Sequence, residues 1–126
     1  SVDYAKQRKQ FDQPIAKFQG IQFMLSDITT KIYAMESMLY RAAEKYDAGI
    51  DVMQEAAMVK LFYSEAVSEV ADMALQIHGG MGFSKELSIE RFYRDARILR
   101  IFEGTSEIQK LIISRKTVKK KGKWEF

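Results

Sequence analysis

The 126-residue chain has no cysteine, which excludes disulfides, cysteine-ligated zinc and thiol nucleophiles, and suits a reducing compartment. It has one proline and seven glycines. So few turn formers exclude a fold of many short strands joined by tight turns and leave long helices. No apolar run approaches the roughly 18 residues of a membrane span, and Ser1 to Gln10 is polar, without the apolar segment of a signal peptide. His78 is the single histidine. With no second imidazole and no thiol it predicts a packed, hydrogen-bonded side chain and no metal site.

What is present is a globular composition, 47% hydrophobic and 29% charged, in a chain long enough to bury roughly two thirds of its unfolded surface. The net charge of +3 is unevenly placed. From Lys110 onward seven basic residues face one acid, Glu125, whereas the rest carries thirteen basic residues against sixteen acids. A nucleic-acid binder spreads positive charge over a folded face; here it gathers at one end, so no nucleic-acid partner is expected. The domain is drawn at 1–117, with a basic tail at 118–126.

Apolar residues at Ile21, Leu25, Ile28, Ile32, Met35, Leu39, Ala42 and Tyr46 step alternately by four and three, the spacing of one helix face. Gly49 marks its stop. Asp51 and Gln54 predict a capping box opening a second long helix, whose stripe runs Ala56, Val59, Tyr63, Ala66, Val70, Met73 and Ile77. Two long helices joined by so short a turn must lie antiparallel. Gly79, Gly80 and Gly82 break the pattern; a shorter arginine-rich helix follows near Ser88 to Arg97, with Arg91 and Asp95 paired at i and i+4. Ser106 and Gln109 predict another capping box and a last helix toward Arg115. Val2 to Gln10 reads as the end of a helix without its own cap, so the chain reads as cut from something larger. The fold class is all-α, an antiparallel four-helix bundle, and a bundle alone names no function.

A few residues invite chemistry. Glu103, between the apolar Ile98 to Phe102 stretch and Gly104, reads as a general base made more basic by desolvation, or as a turn acid facing the positive end of the next helix. The run Gln76-Ile-His-Gly-Gly-Met-Gly-Phe83 frees backbone amides to approach a phosphate or ring, or simply ends a helix. Arg94 and Arg97 offer an anion contact or ion-paired scaffolding. Arg8 with Phe11 offers a guanidinium for a diphosphate and an apolar surface for a ring.

Taken in order, Arg8-x-x-Phe11, Gln19, the Glu55-Ala-Ala-Met-Val-Lys-Leu-Phe62 run, Gln76 to Phe83, Arg91-Phe-Tyr-Arg-Asp-Ala-Arg97 and Phe102-Glu-Gly-Thr-Ser-Glu-Ile-Gln109 closely resemble the carboxy-terminal helical domain of the acyl-CoA dehydrogenases, over about residues 4 to 116. The resemblance implies an FAD enzyme that oxidises an acyl-CoA thioester to the trans-2-enoyl-CoA and passes electrons to an electron-transferring flavoprotein. It implies that Glu103 removes the α-proton beside a substrate lying against Gly104. Arg8 would meet the FAD pyrophosphate, and Phe11 and Phe18 would pack near the cofactor. Gln76 and Gly80 would contact the adenosine part from a neighbouring subunit, with Thr105 and Glu107 near the FAD of their own subunit. Such sharing implies a homo-oligomer, a dimer or tetramer, in the cytoplasm or a mitochondrial matrix.

Asp12 stands where the family commonly has glycine, which bears on the local turn. The family's amino-terminal helical domain and middle β-domain, which supply most of the flavin and acyl pocket, have no counterpart in these residues. The resemblance therefore implies a piece that does not turn over alone, and it leaves acyl length and branching open. Other readings are a non-catalytic helical oligomerisation module and a related acyl-CoA oxidase or monooxygenase. An acid at Glu103 favours dehydrogenation over monooxygenation, and argues against family branches that carry the base on an earlier helix.

Overall fold

A computed structural model describes residues 1–119, so the basic tail expected at 118–126 falls, from Lys120 onward, outside the described residues. The elements are α1 (Val2–Gln7), a two-stranded hairpin of β1 (Lys9–Gln10) and β2 (Gln13–Pro14), a single 3₁₀ turn (Ile15–Lys17), α2 (Gln19–Asp47), α3 (Met53–His78), α4 (Gly80–Phe83), α5 (Ile89–Ile98) and α6 (Ser106–Lys119). Among the described residues no helix is long and apolar enough to cross a membrane.

The two long helices expected from the apolar steps are α2 and α3, and their ion pairs fix the direction. Lys45 pairs with Glu55 at 2.9 Å and Lys31 pairs with Glu69, so fourteen residues back along α2 correspond to fourteen residues forward along α3. They are antiparallel. On the other side, Ser68 Oγ of α3 donates to the Ala96 carbonyl of α5, and Gln54 of α3 reaches Thr117 of α6. Helices α5 and α6 therefore follow one another along α3, both antiparallel to it, α5 beside its carboxy-terminal half and α6 beside its amino-terminal half. The column they form is interrupted at 99–105, level with the middle of α3.

This central placement explains where the α3 stripe was misread. α3 packs against α2, α5 and α6, with α1 and α4 at one end. Its buried residues are Gln54, Ala57, Ser64, Ala66, Ala71, Ile77 and His78, distributed around the helix; small side chains let three neighbours approach at once. A helix with several partners has no single apolar face. The α2 stripe is the converse case: Met35 is buried, but Ile32, Leu39 and Tyr46 remain exposed.

Both capping boxes are corrected. The Asp51 carboxylate accepts the Met53 amide at 3.0 Å, while Gln54 turns inward to α6. At α6 the cap is Thr105, whose hydroxyl accepts from the Ile108 amide at 3.4 Å; Ser106 and Gln109 are both buried and point into the fold. Polar side chains in a capping spacing were claimed by tertiary partners. The i,i+4 pair on α5 is Glu90 with Arg94, at 3.1 Å, rather than Arg91 with Asp95; Arg91 instead lies 5.7 Å from the Phe92 ring centre.

The all-helical expectation also missed the hairpin, in which Lys9 faces Pro14 and Gln10 faces Gln13. Its two turn residues, Phe11 and Asp12, have φ of 50° and 61°, the sign a two-residue type I′ turn requires at both positions. Aspartate tolerates that conformation better than most residues, so the turn forms without the glycine usual at position 12.

Candidate functional site

The residues singled out from the sequence fall into two groups. The first lies where α3 ends. The backbone of Arg8 is pinned twice: its N–H donates to the Tyr4 carbonyl and its carbonyl accepts from the Ile15 N–H, both at 2.8 Å. Tyr4 in turn stacks on His78, ring centres 4.4 Å apart, and donates its hydroxyl to the His78 carbonyl at 3.3 Å. His78 is buried with Nδ1 2.7 Å from the Ala74 carbonyl. A carbonyl only accepts, so Nδ1 carries the proton, and this is the structural histidine expected.

Around these residues lies a cavity of about 490 Å³ whose lining includes Arg8, Gln10, Gly79, Gly80 and Met81. Arg8 is exposed and makes no ion pair among the described residues. A Cβ placed on Gly80 would meet nothing within 4 Å. Gln76 is exposed one turn earlier on α3. Phe11 is 86% exposed and meets the half-buried Phe18 edge to face, ring centres 6.0 Å apart. An unpaired guanidinium, bare glycine backbone and an uncovered ring are the donor set that a diphosphate cofactor with an aromatic ring calls for, so the residues present fit FAD.

The second group, Glu103, Gly104, Thr105 and Glu107, sits at the break between α5 and α6. Glu103 has φ of 53° and Gly104 φ of 93°. The Gly104 carbonyl accepts from Lys60 Nζ of α3 at 2.6 Å and from Gln109 Nε2 at 3.2 Å. Gln109 Nε2 also reaches the Glu103 carbonyl at 3.5 Å. Glycine suits position 104 by its conformation, and a Cβ there would stand 2.7 Å from that same nitrogen and displace the Gln109 amide. Glu65 of α3 secures the flanks, accepting from Arg100 Nε and from the Ser106 hydroxyl, both at 2.8 Å. The Glu103 side chain is exposed; the desolvation expected of it does not come from the residues described. The Glu107 carboxylate is held below the usual glutamate value, first by its own backbone N–H and then by the Thr105 hydroxyl.

The two groups are not adjacent. Thirteen residues of α3 separate Glu65 from His78, about 20 Å at 1.5 Å per residue. Sequence reasoning named both groups but missed Lys60, Glu65 and Gln109 as their supports. Lys60 lay in a matched run without a role, and contacts 44 residues apart leave no periodic trace.

The chain matches the family described as acyl-CoA dehydrogenase, C-terminal domain, over residues 1–118. It is 50% identical over 119 residues to a 3-(aryl)acrylate reductase of Clostridium sporogenes, covering 94% of this chain and 32% of that protein. It is 48% identical over 115 residues to an acyl-CoA dehydrogenase of Bacillus subtilis, covering 91% and 30%. The butyryl-CoA dehydrogenase structure from Megasphaera elsdenii superposes with a TM-score of 0.91 at 39% identity, covering 94% of this chain and 31% of that one. The chain thus spans about a third of the length of the relatives it matches. A family match over residues 1–118, nearly all of the described helices, shows that the chain belongs to the acyl-CoA dehydrogenase C-terminal domain family.

Proposed function

We propose that this chain is the carboxy-terminal domain of an FAD-dependent acyl-CoA dehydrogenase, in which Glu103 takes the α-proton of an acyl-CoA thioester. The observation that carries the reading is the turn itself: an exposed carboxylate on a residue of positive φ, in the Phe102-Glu-Gly-Thr105 motif, held on its carbonyl side by Lys60 and Gln109. Bound FAD would accept the β-hydrogen with its electron pair. Glu103 takes the α-hydrogen as a proton, and the electron pair left behind forms the double bond of the trans-2-enoyl thioester. Among the described residues no protein group donates to the Glu103 carboxylate, so only water must be displaced before the reaction. Closure of the site by substrate, cofactor and the longer protein's other domains would remove water from around the carboxylate.

Arg8, Phe11, Phe18, Gln76 and Gly80 would hold the cofactor at the end of α3, and Thr105 and Glu107 would lie beside it at the break. The roughly 20 Å between the groups supports a cofactor shared between subunits. The exposed apolar side chains of α2, among them Phe23, Tyr33, Tyr40 and Tyr46, support a homo-oligomer. Electron-transferring flavoprotein is the proposed electron acceptor.

Replacing Glu103 by Gln in the full-length protein tests the reading. Flavin should stay bound while acyl-CoA oxidation falls about 10²- to 10⁴-fold. Turnover at the original rate would refute it. The similarity to a reductase favours a second reading in which the physiological direction is reversed; the Glu103 carboxyl would then deliver the same proton to the α-carbon. Single-turnover rates in the two directions distinguish these, and Glu103→Gln should slow both.

A further inference from the structure

We infer that Lys60 is a positioning residue for Glu103, acting through the Gly104 carbonyl; this rests on the reading of Glu103 as the base. The inference starts from the backbone. A non-glycine residue at φ of 53° persists where its surroundings overdetermine it. At Glu103 the determinants are few enough to name. The next carbonyl, that of Gly104, takes two donors, the Lys60 ammonium at 2.6 Å and the Gln109 amide at 3.2 Å. Lys60 belongs to a different helix, α3, and its stem lines an apolar hollow with Leu39, Val59 and Tyr63. The charged head has no carboxylate partner among the described residues. An ammonium that leaves apolar surroundings to end on one carbonyl makes a short, charge-assisted bond, strengthened by low local polarity.

The geometry gives this bond a particular consequence. The flanks of the turn are already tied to α3 by Glu65, through Arg100 before it and Ser106 after it. Those ties, with the Ser106 N–H on the Arg100 carbonyl at 3.2 Å, fix where the turn is. None of them bonds to the Gly104 carbonyl, whose peptide plane is held by Lys60 and by Gln109, which also reaches the Glu103 carbonyl. Lys60 fixes that plane from the α3 side while Gln109 fixes it from α6. With both in place, the direction in which Glu103 leaves the backbone is set before substrate arrives, as preorganised proton transfer requires.

The test uses the full-length flavoprotein and follows flavin reduction by acyl-CoA in a single turnover. Lys60→Met should lower the limiting reduction rate roughly 10- to 100-fold, with unchanged flavin content and little change in the substrate concentration at half-saturation; Lys60→Arg should restore most of the rate. Gln109→Leu, which removes the second donor, should show the same split, and serves should Lys60→Met fail to fold. Glu103→Gln is measured alongside. Lys60→Met and Gln109→Leu reducing flavin at the original rate, with Glu103→Gln impaired, would overturn the positioning role alone. Loss that merely tracks lost flavin would overturn it equally. An unimpaired Glu103→Gln would bring down the base assignment and the positioning role with it.

Discussion

Gln54, in the first turn of α3, donates its side-chain amide to the hydroxyl of Thr117 near the end of α6, at 2.9 Å, and lies 3.5 Å from the Ile113 carbonyl. Gln54 is 4% exposed, so these are its substitutes for water. Gln54→Leu keeps the volume and leaves its α6 partners without the amide; it should destabilise the chain by about 1–3 kcal/mol. Gln54→Glu should cost at least as much near neutral pH, because it places a carboxylate against a carbonyl oxygen. Chemical denaturation of both variants checks the order.

Gly82 marks how closely α4 folds back on α3. A Cβ there would lie 2.8 Å from both the Leu75 carbonyl oxygen and the His78 Cβ. Backbone cannot swing aside as the tip of a lysine can, so Gly82→Ala should destabilise by about 1–3 kcal/mol. Because the displacement would press on His78 and hence on Tyr4, the loss should be accompanied by faster amide exchange at Arg8. Gly80→Ala, with open space at its Cβ, should change stability by less than about 0.5 kcal/mol.

How much of this was legible in the sequence depends on the range of the interaction. The long helices were, because one side of α2 repeats Ile21, Leu25, Ile28 at helical spacing, and Gly49, with φ of 75°, closes it. The burial of α3 was not, since three helices pack on it and no single stripe survives. Two capping boxes were misassigned for the same reason: Gln54 and Gln109 carry the local signature, yet each is bound by partners far along the chain or across a turn. Glu103 and Gly104 were legible as a motif. Lys60 was not, because a donor 44 residues before its acceptor, on another helix, obeys no local rule.

The hairpin offers a sharper check on local conformation. Asp12 sits at φ of 61°, where a β-branched side chain is strongly disfavoured and aspartate is tolerated. Asp12→Val should destabilise by about 1–2 kcal/mol and loosen the Lys9 to Pro14 pairing. Asp12→Gly should stay within about 0.5 kcal/mol of the original, relief of the left-handed strain being offset by the added freedom of the unfolded chain. Thermal unfolding followed by circular dichroism ranks the three.

Asp51 supplies a pH-dependent contribution whose sign can be worked out. The Lys116 ammonium bonded to it at 2.7 Å, followed by the Met53 amide, holds its carboxyl below the ordinary aspartate value of 3.8. A group whose folded value is depressed adds stability above its unfolded value, and loses it as the pH falls through the lower folded one. Asp51→Asn keeps an oxygen for the Met53 amide and removes only the charge. The variant should therefore be slightly less stable than the original at pH 6, by an amount that shrinks in 1 M salt because the pair is exposed. The gap should narrow below about pH 4 and vanish where Asp51 is protonated in both states. Denaturation midpoints of the two proteins across this range measure it; a gap that widens toward acid would mean that the Lys116 contact does not stabilise the ionised form.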